Sequence, residues 1–276
     1  MRPCVARVRP DPKGEAVGER VCFLAGPHYG GLAAGTARAL FGAQSKDPNL
    51  RVRVACQGNS LLAHCFNQFW VWALNAKQEG QQIDLFAMLH ADVAPEPYWL
   101  DVLIAELDAG PYDLVSAVVP IKDSRGLSST AISRPDPDDG YDVDFRLTMA
   151  EALSLPETFT AADCGFPDRF LLVNTGCWVC RFDPSWAEQV WFEIRSRVHK
   201  DAKGKWQAEV DPEDWNFSRM VQRLGLRVAA TRKVKLVHHG DMAYGNQSQW
   251  GEWTFDKDKL AEPRMARTTE EALTNG

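Results

Sequence analysis

The sequence has no run of about eighteen uninterrupted apolar residues, so no membrane-spanning helix is expected. Its first residues are rich in Arg, Pro and Asp and lack the apolar core of a secretory leader, which makes a cytoplasmic protein the expectation. Cysteines are few, scattered and odd in number, seven in all, which excludes a secreted disulfide framework. One CxxC occurs, at Cys177-Trp178-Val179-Cys180, without a second pair. Its neighbours read as a strand, which would point the two thiols to opposite faces, so a zinc or redox pair is not expected. Neither a dinucleotide fingerprint nor a phosphate-binding P-loop is present; the Gly-rich turn Gly26-Pro27-His28-Tyr29-Gly30-Gly31 has the spacing of neither. A net charge of −6 gives no bulk attraction to nucleic acid. Two basic clusters, Arg195–Lys200 and Arg232–Lys235, read as solvated faces.

What is present is a large apolar fraction, 45%, with ten Trp, enough to fill the core of one sizeable domain. The reading is a lead-in over 1–19, a single domain over 20–255 and a loose tail over 256–276. Within the domain, short apolar runs alternate with helical patterns. Strands are expected at 21–25, 51–56, 84–90 and 113–119, with helices near 33–44, 60–75 and 97–107. On the second helix the inner face is read as Leu61, Leu62, Cys65, Phe69, Trp72 and Ala73. Regular alternation of this kind implies an α/β fold, a mostly parallel sheet flanked by helices.

After Pro120 the pattern weakens. Residues 121–168 carry Lys122, Arg125, Thr130 and the acidic, Pro-rich Pro135–Gly140, and read as a long substrate-facing insertion. A strand or bent strand pair follows over 170–182, around Asn174-Thr175-Gly176. Residues 184–198 read as an amphipathic helix with Trp186, Val190, Trp191 and Ile194 inward, and 199–209 as a polar loop. Asp211-Pro212-Glu213-Asp214 opens a helix, with Asp211 as N-cap, Pro212 at the first position and two acids in the first turn. Phe217, Met220, Val221 and Leu224 supply its apolar stripe and Gly225 its end. Two closing strands, 227–230 and 234–237, lead to His238-His239-Gly240.

Three features carry chemistry. The apolar run Asp84–Leu89 stops at His90-Ala91-Asp92, and in open α/β sheets ligands bind beyond the carboxyl ends of such strands. Glu213-Asp214 opens a helix. His238-His239 ends another strand. Their order and separation are similar to those of nucleotide-sugar-dependent glycosyltransferases of the GT-A fold (a Rossmann-like sheet), in the large family-2-like group, over about residues 21–240.

That resemblance implies a set of roles. His90-Ala91-Asp92 stands where the family has a DxD motif that binds a divalent cation and the donor diphosphate, with His in place of the first acid. Asp92 would contact the metal, and His238 would complete its site, with His239 the substitute and His90 a further candidate. The cation would be Mn²⁺ or Mg²⁺. Asp214 resembles the general base of inverting members, with Glu213 beside it and Trp215 following. Gly26, Pro27, His28, Tyr29, Ser60, Asn67, His90 and Ala91 would face the donor; Lys122, Arg125, Thr130, Thr175, Gly176 and Trp215 the acceptor. The implied function is inverting transfer of a sugar from a nucleoside diphosphate, UDP by preference, to a hydroxyl of a saccharide. Two alternatives stand beside it: transfer to a hydroxymethylated base in DNA, which would have to be flipped into the site, and a catalytically silent nucleotide-sugar-binding protein.

Overall fold

A computed structural model of the chain describes residues 19–43, 45–134, 143–251 and 253. Most of the lead-in, the Pro135–Gly140 segment and the tail lie outside the described residues. The first half alternates as its apolar runs suggest: β1 (Arg20–His28), α1 (Ala34–Phe41), β2 (Leu50–Gly58), α2 (Leu62–Gln78) and β3 (Leu85–Leu89). A short strand β4 (Val93–Pro95) leads to α3 (Trp99–Ala109) and β5 (Leu114–Ala117). Next come β6 (Leu127–Ser133), β7 (Val143–Thr148), α4 (Met149–Ser154), β8 (Thr158–Phe159), β9 (Leu171–Leu172) and β10 (Cys177–Arg181). The last part holds α5 (Pro184–Ala187), β11 (Arg195–Lys200), β12 (Trp206–Asp211), α6 (Glu213–Arg223), β13 (Val228–Thr231), β14 (Leu236–His239) and β15 (Ala243–Gly245).

The main sheet has seven strands in the order β2-β1-β3-β10-β5-β13-β8. β1 is parallel to β2 and β3, and β13 is parallel to β5. β10 runs antiparallel between β3 and β5, and β8 closes the edge antiparallel to β13. The sheet is therefore mixed, with helices on both faces. Leu40 of α1 and Leu103 and Leu107 of α3 pack on one face with Leu24, Leu89 and Val179. Phe66 and Phe69 of α2 and Phe217 and Val221 of α6 pack on the other with Phe86 and Trp178. Cys177 and Cys180 belong to opposite faces, as the alternation of a strand requires.

Continuous apolar character explains β3: all five residues are buried, because helices cover both of its sides. β1 extends further than its apolar run, through Gly26 and Pro27 to His28. Beyond Ala25 it pairs with β2 alone, so the missing N–H of Pro27 falls where one flank of the ladder has ended. Gly26 packs beneath α1, where a Cβ would lie 2.5 Å from Leu40 Cδ2.

Several expectations are corrected. The inner face of α2 is Cys65, Phe66, Phe69, Trp70 and Ala73, while Leu61, Leu62 and Trp72 are exposed. Trp70 takes the core position because its ring meets Phe86, Trp178, Phe182 and Phe217 and its indole N–H donates to the Ala187 carbonyl at 2.9 Å. The helix expected over 184–198 is one turn, α5; Trp191 and Ile194 are exposed and the chain continues as β11. The polar loop expected over 199–209 is largely β12, paired antiparallel with β11. Asp211 is not the N-cap of α6. That position is Pro212, and Asp211 is buried between Arg219 and Arg195, each 2.5 Å from one of its oxygens. The 121–168 stretch carries more structure than its weak periodicity suggests: β6 pairs with β7 and β9 in a second sheet.

Candidate functional site

A cleft of about 420 Å³ opens beyond the carboxyl ends of β1 and β3. Pro27, His28, Tyr29, Leu32, Leu62, His90, Ala91 and Asp92 are among the residues that line it. Its size is within the range of small-molecule sites. Tyr29 is exposed at its rim, and His28 is held against Gly58, where a Cβ would lie 2.7 Å from the ring. Gly26, Ser60 and Asn67 are not among the lining residues. Asn67 is used elsewhere: its amide donates to the Phe192 carbonyl at 2.7 Å and accepts the Phe192 N–H at 2.8 Å.

His90 ends β3 against the Phe66 ring, 4.7 Å between centroids. Its Nε2 is buried with no hydrogen-bond partner. Burial lowers its pKa to about 4; Asp92 opposes that shift, and His238 and Lys122 add to it, so the ring is neutral at neutral pH. Two residues on, Asp92 Oδ2 receives Lys122 Nζ at 2.5 Å and faces His238 Nε2 at 3.3 Å. Burial alone would raise the Asp92 pKa, but hydrogen bonds and charge from His238 and Lys122 outweigh it and hold the carboxylate well below its usual range.

The orientation of His238 is informative. Its Nδ1 lies 2.7 Å from the Pro120 carbonyl oxygen, which can only accept, so Nδ1 carries a proton. In a neutral ring Nε2 would then present a lone pair to a carboxylate oxygen. Either a second proton or a cation resolves that opposition. A carbonyl holding the far nitrogen of an imidazole is the usual support of a metal-bound His. The 3.3 Å separation of Asp92 Oδ2 and His238 Nε2 suits neighbouring ligands of a hard divalent ion, whose bonds of about 2.1 Å place adjacent ligands roughly 3 Å apart. Among the described residues no group of three or more His, Cys, Asp and Glu is arranged to hold a metal. An ion held by this pair would take its further oxygen ligands from its substrate, as Mg²⁺ commonly does, and would share Asp92 Oδ2 with the Lys122 ammonium. His239 points elsewhere: its Nε2 lies 3.9 Å from where a Gly35 Cβ would stand, on the side of α1.

The turn between β9 and β10 links this cluster to the acidic pair. Gly176 accepts the His90 N–H at 2.8 Å, and its own N–H donates to Asn174 Oδ1 at 2.6 Å. A Cβ at 176 would lie 2.5 Å from Asn174 Oδ1 and 3.4 Å from His90 Nδ1, so only glycine fits there without displacement. Asn174 Nδ2 donates in turn to Asp214 Oδ2 at 3.2 Å and to Ser129 Oγ at 2.9 Å.

Asp214 is buried in the first turn of α6. Burial, then the charge of Glu213, raises its pKa to about 7, against the Trp215 N–H, the Arg146 charge and Asn174. Burial raises that of Glu213 as well. Trp215 donates its indole N–H to the Ser129 carbonyl at 3.0 Å and lies under the Arg146 guanidinium, 4.4 Å away. Thr130 and Thr175 are buried with unpartnered hydroxyls. Arg125 is paired with Asp123 and stacks over Trp253, 5.4 Å away. The sequence marks Asn174 as part of the Asn174-Thr175-Gly176 turn without its contact to Asp214, and it assigns no role to Ser129 or Arg146. An Asn-x-Gly turn after a buried run was the available signal for the first; nothing local marks the other two.

Charge in the two basic clusters is answered nearby at three positions. Arg195 faces Asp211, Arg197 faces Glu209 at 2.6 Å, and Lys233 pairs with Glu106 at 2.6 Å.

Neither a protein-family model nor a curated protein matches the chain. Among solved structures it is similar to the crystal structure of A197 from STIV, at 14% sequence identity and a TM-score of 0.46, over 85% of this chain and 95% of that one.

Proposed function

We propose that the chain is a metal-dependent, inverting glycosyltransferase of the GT-A type that takes its sugar from a nucleoside diphosphate, UDP by preference, and delivers it to a hydroxyl of a saccharide. The observation that carries the reading is that one turn joins the strand end leading to Asp92, through the His90 N–H on Gly176, to Asp214, through Asn174. Asp92 is charge-paired at the mouth of a cleft, and Asp214 is buried, with a pKa near neutrality, on the far side of Asn174 and Gly176.

In this reading the cleft between β1 and β3 takes the nucleotide, with Tyr29 and His28 at its rim. Asp92 and His238 would hold Mn²⁺ or Mg²⁺, and the imidazole favours Mn²⁺. When bound, such an ion supplies positive charge to the diphosphate that leaves. Lys122 adds a second positive charge beside Asp92. His90, neutral and covered, forms the floor of the cleft and offers a ring nitrogen rather than charge. Asp214 accepts the proton of the acceptor hydroxyl as that oxygen attacks. A carboxyl whose pKa lies near the working pH suits a general base. Asn174 orients Asp214, and Glu213 keeps its pKa high by like-charge repulsion. Attack from the side opposite the leaving diphosphate inverts the anomeric centre.

The test is release of nucleoside diphosphate from a panel of nucleotide sugars with Mn²⁺, Mg²⁺ or EDTA, alongside donor binding by calorimetry. Metal-dependent release from one donor is expected. Binding without release, with a full acceptor panel present, would replace the enzyme by a nucleotide-sugar-binding protein. No binding of any donor would overturn both.

A further inference from the structure

The β11–β12 hairpin stands apart from the main sheet as a two-stranded sheet of its own, and its two faces differ. The register pairs Ser196 with Val210, Val198 with Ala208 and Lys200 with Trp206. These residues are all exposed, while Arg195, Arg197, His199, Gln207, Glu209 and Asp211 alternate with them on the covered face. Val198, Trp206 and Val210 are 71%, 66% and 54% exposed, and Trp191 and Ile194 extend the apolar surface just before the hairpin. A contiguous exposed apolar surface of this kind marks an interaction site.

We propose that this face docks on an anionic lipid surface. The aliphatic groups of Val198, Ala208 and Val210 offer no hydrogen bonds, so a glycan or a nucleic acid would gain little there, whereas a hydrocarbon boundary would. Trp206, with Lys200 Nζ 5.0 Å above its ring, joins an apolar body to a cation, the combination that suits a headgroup layer. Lys203 and Lys205 are exposed at the tip and extend the positive charge. The acidic side chains of the hairpin are directed otherwise. Glu209 and Asp211 lie on the other face, paired with Arg197 and Arg195, and Asp201 is occupied by the backbone N–H groups of Lys203 and Lys205. Glu193 is the acid beside this surface, and it faces the Trp191 indole. On the strands Lys200 is the one charged side chain of the apolar face, while Arg195, Arg197, Glu209 and Asp211 pair with one another on the other face. Such a surface lies on a membrane and does not cross it.

The mount is rigid. Asp211, at the end of β12, is held by Arg195 of β11 and by Arg219 of α6, which fixes the hairpin to the helix that carries Asp214. The proposal does not depend on the glycosyltransferase reading, since it concerns binding alone.

Co-sedimentation of the full chain with phosphatidylcholine vesicles, with and without phosphatidylglycerol, tests it. Binding to the anionic vesicles that weakens with salt is expected. The triple variant Val198→Ser, Trp206→Ser, Val210→Ser should lose at least about tenfold in affinity while keeping the wild-type melting temperature, because these side chains are exposed. Lys203→Gln with Lys205→Gln should weaken the preference for phosphatidylglycerol, with Lys200 retaining part of it. The proposal is overturned if the wild type does not sediment with anionic vesicles. A triple variant that binds like the wild type overturns it too. So does a concentration-dependent dimer, lost in the triple variant, in a wild type that ignores vesicles; the face would then join copies of the chain.

Discussion

Asp92 sits half-exposed beyond the end of β3 with an ammonium and an imidazole against it, whereas Asp214 lies buried in the first turn of α6 with a second carboxylate as its neighbour. The first environment holds a permanent negative charge. The second holds a proton until the pH nears neutrality. One side chain type is thereby held charged on the cleft side and protonated up to near neutrality on the other, and burial together with the neighbouring charges makes the difference.

The largest expected effect comes from removing the proposed proton acceptor. Asp214→Asn should lower the transfer rate by roughly 10²–10⁴-fold with donor affinity unchanged; wild-type turnover would erase the contrast. Asp92→Asn attacks the other partner. Calorimetry with Mn²⁺ and a nucleoside diphosphate should show binding weakened by about 10–100-fold, and intact binding would mean that the Asp92 charge holds no ion. The pH profile sharpens the comparison. Activity should fall about tenfold per unit below about pH 7 as Asp214 takes up its proton. Glu213→Gln should move that limb to lower pH by removing the like charge, and an unmoved limb would assign it to another group.

The smallest effect concerns stability. The folded-state carboxyl of Asp214 binds its proton more tightly than the unfolded one, so its contribution is fully present below the unfolded value, 3.8. It is lost as pH rises through about 7. Asp214→Asn does not titrate there. Its melting temperature should gain on wild type, between about pH 5 and about pH 8, by on the order of 5 °C. Parallel curves would mean that the carboxyl is not strained by burial.

Much of this was legible in the sequence, for identifiable reasons. β3 is covered on both faces, so its apolar run is continuous and its end at His90-Ala91-Asp92 is plain. α6 shows its boundaries because Pro212, the two acids and Gly225, at φ +85°, each mark a helix end. α2 was harder, since Leu61, Leu62, Val71 and Trp72 make its outer side as apolar as its inner one. The 184–211 stretch misled for a different reason. Trp186, Val190, Trp191 and Ile194 have helical spacing, yet two of the four are exposed and the backbone follows cross-strand pairs such as Arg197 with Glu209. Those partners meet only once the chain has turned at Gly204, φ +76°. Contact between Asn174 and Asp214 likewise joins residues far apart in the chain, and no local pattern encodes it.

The distribution of thiols has a practical consequence. Cys22, Cys65, Cys177 and Cys180 are buried, and burial pushes the Cys22 thiol up to about 12 and those of Cys177 and Cys180 well above the usual thiol range. Among the described cysteines Cys56, on β2, is the exposed one. Among the described cysteines a thiol-reactive dye added to the native protein should therefore mark Cys56 first, beside Gln57 and Gly58 on the strand paired to His28. The core cysteines would be labelled only as molecules open. Their labelling rate is then a clock for unfolding, readable without any substrate.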